Sequence, residues 1–129
     1  MVQSQEILDL CDRIVTKFRP VRIIVFGSHA YGAPANDSDV DMLIVLARGP
    51  DGYRKAALIS ETVRPDFPVD LLVRTSAALQ KRIELNDFFF KEIMEKGIVI
   101  YDAADARVGG QGRKRLQQRG AAFAGAQTT

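Results

Sequence analysis

A single cysteine and a single histidine stand in these 129 residues, and no apolar run approaches the roughly 20 residues that a membrane-crossing helix needs. The lone cysteine, Cys11, has no intramolecular partner, which excludes a disulfide-stapled fold; its place on an apolar helical stripe gives it a packing role. The start "MVQSQEILDLCDRIV" mixes acids among its apolar residues instead of following a basic region with a continuous apolar block, so it does not read as a signal peptide. These absences place the chain in the cytoplasm and give it no membrane. A phosphate-binding loop of the Walker kind is missing too. Gly27 and Gly32 have its spacing, but Ala33 and Pro34 occupy the positions that require Lys and Ser or Thr.

What is there is ordinary in bulk and uneven in detail. Hydrophobic residues make up 47% and charged residues 26%, the balance of a soluble globular domain of a size that can bury its own core. The net charge of +2 conceals a division. From Ala103 onward five basic residues (Arg107, Arg113, Lys114, Arg115, Arg119) face one acid, Asp105, a net of +4 that leaves residues 1–102 at −2. That last stretch is rich in Gly, Ala, Gln and Arg, with Val108, Leu116 and Phe123 as its large apolar residues, too few to order it alone. We therefore divide the chain into a domain at 1–102 and a basic, flexible tail at 103–129.

Within the domain, Ile7, Leu10, Cys11, Ile14 and Phe18 form the stripe of an amphipathic helix that Pro20 stops. "VRIIVF" (21–26) is short and β-branched, a strand; "GSHAYGAPANDSD" after it is a loop with room for one helical turn at 28–31. A second strand spans 40–46, a helix begins near Asp51, and "VDLLVR" (69–74) is a third strand. Thr75 or Ser76 caps a helix through Glu84, Asn86 or Asp87 caps another through Lys96 with Gly97 as its stop, and "IVIYD" (98–102) is the last strand. Strands alternating with helices predict an α/β (α+β) fold, a sheet covered by helices.

One strand poses a chemical question. "SDVDMLIVL" is apolar enough to be buried, yet it is entered through Asp39 and Asp41, whose side chains share a face about 7 Å apart along the strand. A buried ionised carboxylate must be paired, hydrogen-bonded or bound to a metal. A third acid, Asp70, is embedded in "VDLLVR", and if the two strands are neighbours the three carboxylates converge. Magnesium takes hard oxygen ligands, and two such ions can stabilise both the attacking and the leaving oxygen of a phosphoryl displacement. Gly27 and Ser28, between a strand and a helical turn, suit a phosphate: glycine admits close backbone approach, and the hydroxyl and turn amides donate.

"GSHAYGAPANDSDVDMLIVL" resembles the G-S-x-x-x-G…S-D-x-D signature of the DNA polymerase β-like nucleotidyltransferase superfamily, and with "VDLLV" downstream the chain is similar to its minimal members over residues 5–102. That resemblance implies a nucleotidyltransferase-type mixed sheet. It implies Gly27 and Ser28 on the β- and γ-phosphates, Asp39 and Asp41 on two Mg2+ ions, and Asp70 on the catalytic metal while it assists deprotonation of the attacking hydroxyl. It implies transfer of a nucleoside monophosphate, AMP from ATP, to a hydroxyl, and a role as the antitoxin of a helical HEPN-type toxin that it adenylylates on tyrosine. A second reading is a binding module that neutralises such a toxin by occlusion. A third, antibiotic nucleotidylation, calls for a second helical domain that these residues do not supply.

Three further features complete the expectations. His29, the one histidine, is a half-exposed turn residue with no base to supply, since metal-dependent nucleotidyl transfer needs none. Helical spacing sends two of Phe88, Phe89 and Phe90 into the core and leaves one ring exposed. The basic residues at 113–115 are solvated or touch RNA or an acidic partner, and Asp37 is a solvated turn residue.

Overall fold

The structure, a computed structural model, describes residues 4–31, 39–49, 52–104 and 107–108. Asp37, Gly32, Ala33, Pro34, Asp51 and the basic residues at 113–115 lie outside the described residues. In chain order the elements are α1 (Ser4–Phe18), β1 (Arg22–Phe26), α2 (Ser28–Tyr31), β2 (Val40–Leu46) and α3 (Tyr53–Val63). There follow β3 (Val69–Thr75), α4 (Ser76–Glu84), α5 (Phe88–Lys96), β4 (Ile98–Asp102) and β5 (Arg107–Val108).

The α1 stripe forms as its spacing dictates: Ile7, Leu8, Leu10, Cys11 and Ile14 are buried. Burial of each large side chain contributes on the order of 1.5–3 kcal/mol. The helix unwinds at Arg19, which takes a left-handed φ of 48° just before Pro20. Arg13 then reaches from α1 to the end of α3, where its Nη1 donates to the Val63 carbonyl at 3.1 Å. Both later caps are as the sequence predicts. The Thr75 hydroxyl accepts from the Ala78 amide, and the Asp87 carboxylate accepts from the amides of Phe89 and Phe90.

The strands form one five-stranded mixed sheet in the order β3-β2-β1-β4-β5. β1 is antiparallel to β2 and to β4, whereas β2 and β3 run parallel, joined by the crossover that contains α3. β5, which pairs with β4 through Tyr101↔Val108 and Asp102↔Arg107, adds a strand inside the stretch that composition assigns to the tail. Two residues of backbone pairing need no large apolar core of their own, so composition does not register them.

Helices cover both faces. On one, Ile7, Leu10 and Ile14 of α1 and Ile59 and Val63 of α3 pack on Ile23, Val25, Met42, Ile44 and Val73. On the other, Leu79 of α4 and Phe90 and Ile93 of α5 pack on Ile24, Phe26, Leu43 and Val45. Alternation along each strand thus feeds both layers, as a sheet buried on two sides requires. Among the described residues no helix is long and apolar enough to cross a membrane.

Gly97 stops α5 for a packing reason. Its φ is −66°, open to any residue, but a Cβ there would run into the Ile93 carbonyl and come within 2.6 Å of Ile24 Cγ2. Gly97→Ala is expected to cost about 1–3 kcal/mol of stability by overpacking, read as a lower denaturation midpoint. A midpoint equal to that of the wild type would mean that the β4 junction is looser than described.

Candidate functional site

The site is a product of strand directions. Because β1 is antiparallel to β2 and β2 parallel to β3, the last residue of β1 and the first residues of β2 and β3 lie at one end of the sheet. Register makes Phe26 the partner of Asp41, and Asp41 the partner of Asp70. Paired residues on adjacent strands point to the same face, with backbones about 4.8 Å apart. That face is the one under α4 and α5: Leu43, two residues beyond Asp41, and Leu72, two beyond Asp70, belong to its apolar layer. The condition set by the sequence, that the two acid-bearing strands be neighbours, is met.

Electrostatics reports how close the acids are. The Asp41 carboxyl is raised from its ordinary 3.8, first by burial, then by the charges of Asp70 and Asp39, while His29 pulls it back down. Asp41 is half-buried, and Asp39 and Asp70 are exposed. Two ion pairs are found among the described residues, Arg22 with Asp102 and Lys96 with Glu92, and neither involves these acids. The backbone crowds like charges here, and burial of the middle one adds to the cost.

Gly27 closes the other side of the cluster. Its φ of +76° belongs to the left-handed region, and a Cβ there would be driven into Asp41 Oδ2, so the position excludes a side chain on two separate grounds. The turn it opens is held by the Ala30 amide donating to the Gly27 carbonyl at 2.9 Å, with Ser28 half-buried as the first residue of α2. Gly27 therefore makes room for Asp41, which the pattern of the loop did not reveal. His29 lies close enough to act on Asp41, a relation whose only signal in the sequence was its place two residues after Gly27.

Rings border the cluster. Of the three phenylalanines, Phe90 alone is buried, at 5% exposure; Phe88 and Phe89 are 83% and 53% exposed. This corrects the expectation of two core rings. Asp87, as cap, sets α5 so that its inward positions fall on Phe90 and Ile93, and successive residues of a helix turn by about 100°. Phe89 nevertheless stands edge to face with Phe26, ring centroids 5.7 Å apart, and with Phe90 at 5.2 Å. Cys11 is fully buried and its thiol is pushed far above the usual range by desolvation, in keeping with a packing role.

The nucleotidyltransferase domain family matches residues 6–100, from α1 into β4, and the chain belongs to that family. Its general chemistry is accordingly nucleotidyl transfer, for which the family generally uses Mg2+ and a nucleoside triphosphate. No curated protein matches the chain.

The donor types at this end of the sheet are those such an ion takes. Three carboxylates offer the hard oxygens that magnesium takes, and the burial and neighbouring like charges that raise Asp41 are the kind of cost a divalent cation relieves. Among the described residues no three His, Cys, Asp or Glu side chains stand at ligating spacing. The three acids thus meet in strand register and charge, and their side chains do not stand as a ligating group.

A raised acid has a definite signature. The folded chain holds the Asp41 proton to higher pH than the unfolded one, so stability falls as pH rises through the window above 3.8, and the penalty is fully present at neutral pH. In metal-free buffer at pH 7, Asp41→Asn is expected to melt about 2–4 °C above the wild type, a gain discounted for the partial exposure of the site. The gain should shrink as pH is lowered toward 4. An unchanged or lower melting temperature at pH 7 would show that burial and the neighbouring acids do not destabilise the charged Asp41.

Proposed function

We propose that the chain is a Mg2+-dependent nucleotidyltransferase that moves AMP from ATP to a hydroxyl, most specifically a tyrosine of a cognate helical HEPN-type toxin, and thereby acts as an antitoxin. The observation that carries the catalytic part is the row in which Asp41 lies between Asp70 on the next strand and Gly27 at its side. The toxin as acceptor rests on the resemblance to the minimal members of the superfamily.

In this reading Gly27 and Ser28 hold the β- and γ-phosphates, the glycine by close approach and the serine through its hydroxyl. Asp39, Asp41 and Asp70 would hold magnesium, which, when bound, neutralises charge on the phosphates. Asp70, exposed at the start of β3, accepts the proton of the incoming hydroxyl. The hydroxyl oxygen forms a bond to the α-phosphorus as the bond from that phosphorus to pyrophosphate breaks. Asp41 is half-buried and Asp39 is exposed, so one acid is fixed by packing while the other is free to adjust to the nucleotide.

The test is intact mass spectrometry of the protein with whatever co-purifies from its native host, before and after incubation with ATP and magnesium. A mass increase of one or more AMP units on the partner, absent with Asp39→Asn and slowed about a hundredfold or more with Asp70→Asn, is the expected result. A stable complex that gains no mass, and a toxin still neutralised by the Asp39→Asn, Asp41→Asn variant, would replace transfer by occlusion.

A further inference from the structure

We propose that Phe89 is the stacking platform for the nucleobase of the nucleoside triphosphate, a subsite at the N-terminus of α5 beside the carboxylate cluster. The proposal rests on the nucleotidyl-transfer reading and adds to it the part of the substrate that Gly27, Ser28 and the aspartates do not touch.

The ring is in the right place by a short chain of contacts. Phe89 stands perpendicular to Phe26 at 5.7 Å; Phe26 is the register partner of Asp41 and the residue that precedes Gly27. A nucleotide whose phosphates lie at Gly27 and the aspartates has its base within reach of the ring that borders Phe26. Phe89 is also held firmly. Phe90 meets it at 5.2 Å with an interplanar angle of 81°, and its own amide donates to the Asp87 carboxylate at 3.0 Å. The cap holds its backbone and two buried rings pack against its side chain, yet 53% of the residue faces water.

A rigid, half-exposed aromatic ring at the edge of a polar site binds planar groups at low entropic cost. Every base has a π-face, and base–aromatic stacking strengthens binding about ten- to a hundredfold. Stacking is tolerant of base identity, so it holds a nucleotide without hydrogen bonds to the base. Phe88, one residue earlier and 83% exposed, is the natural comparison, because it shares the helix turn and lacks the ring contact to Phe26 that ties Phe89 to the cluster.

Calorimetric titration with ATP and with inorganic tripolyphosphate, each with magnesium, separates the base from the phosphates. The wild type is expected to bind ATP about ten- to a hundredfold more tightly than tripolyphosphate. Phe89→Ala should bring ATP down to the level of tripolyphosphate and leave tripolyphosphate unchanged, whereas Phe88→Ala should change neither. Phe89→Leu, which keeps apolar bulk against Phe26, serves if the alanine variant does not fold and should weaken ATP alone in the same way. Equal affinities of the wild type for the two ligands, or ATP binding indifferent to Phe89, would overturn the subsite while leaving nucleotidyl transfer standing. Failure of both ligands to bind the wild type would overturn the transfer reading and the subsite with it.

Discussion

The parallel pairing of β2 with β3 is the constraint on which the site depends. It sets Asp41 beside Asp70 at one end of the sheet, and a shift of one residue would turn one of the two acids to the opposite face. That shift is forbidden by packing. Met42, Ile44 and Val73 are buried under α1 and α3 while Leu43 and Val45 are buried under α4 and α5, so β2 cannot exchange its faces without exposing both layers. The apolar core therefore fixes where the charges go. Hydrophobic burial supplies the free energy that holds like charges together against their repulsion.

The same end of the sheet combines rigid and adjustable parts. Gly27 is locked by its left-handed backbone and by the carboxylate pressed against it, and Phe89 by the rings of Phe26 and Phe90. Asp39 and Asp70 are exposed and retain rotamer choice. This division suits a site that handles a charged substrate: what must exclude bulk is fixed, and what must follow the ligand is free. A fold that placed three carboxylates in this way for stability alone would be hard to account for, because burying Asp41 beside two like charges lowers stability at neutral pH.

Most elements were legible because their signals are local. The apolar stripe of α1, the turn at Ser28–Tyr31, the bounds of β2 and β4, and the caps at Thr75 and Asp87 all follow from residues within a few positions of one another. The Gly-Ser turn and the three aspartates could likewise be picked out as candidate site residues, since acids inside apolar strands violate the usual pattern. What escaped depends on neighbours distant in sequence. Strand order, the pairing of β5 with β4, the collision that keeps Gly97 a glycine and the closeness of Gly27 to Asp41 are tertiary facts. The phenylalanine run was misjudged for the same reason. Helical spacing alone put two rings in the core, but the docking of α5 on Phe26 and Leu43 decides that Phe90 goes in and Phe88 and Phe89 stay out.

The proposal stands or falls on whether the acids at the start of β2 take up a cation, and the most direct measurement is melting temperature against magnesium concentration at neutral pH and constant ionic strength. The wild type should rise by several degrees as Mg2+ reaches millimolar levels, and Asp41→Asn should stay nearly flat, since only the former has the full charge to be neutralised. Parallel curves for the two proteins, or no response in either, would contradict the claim that Asp39, Asp41 and Asp70 share an ion.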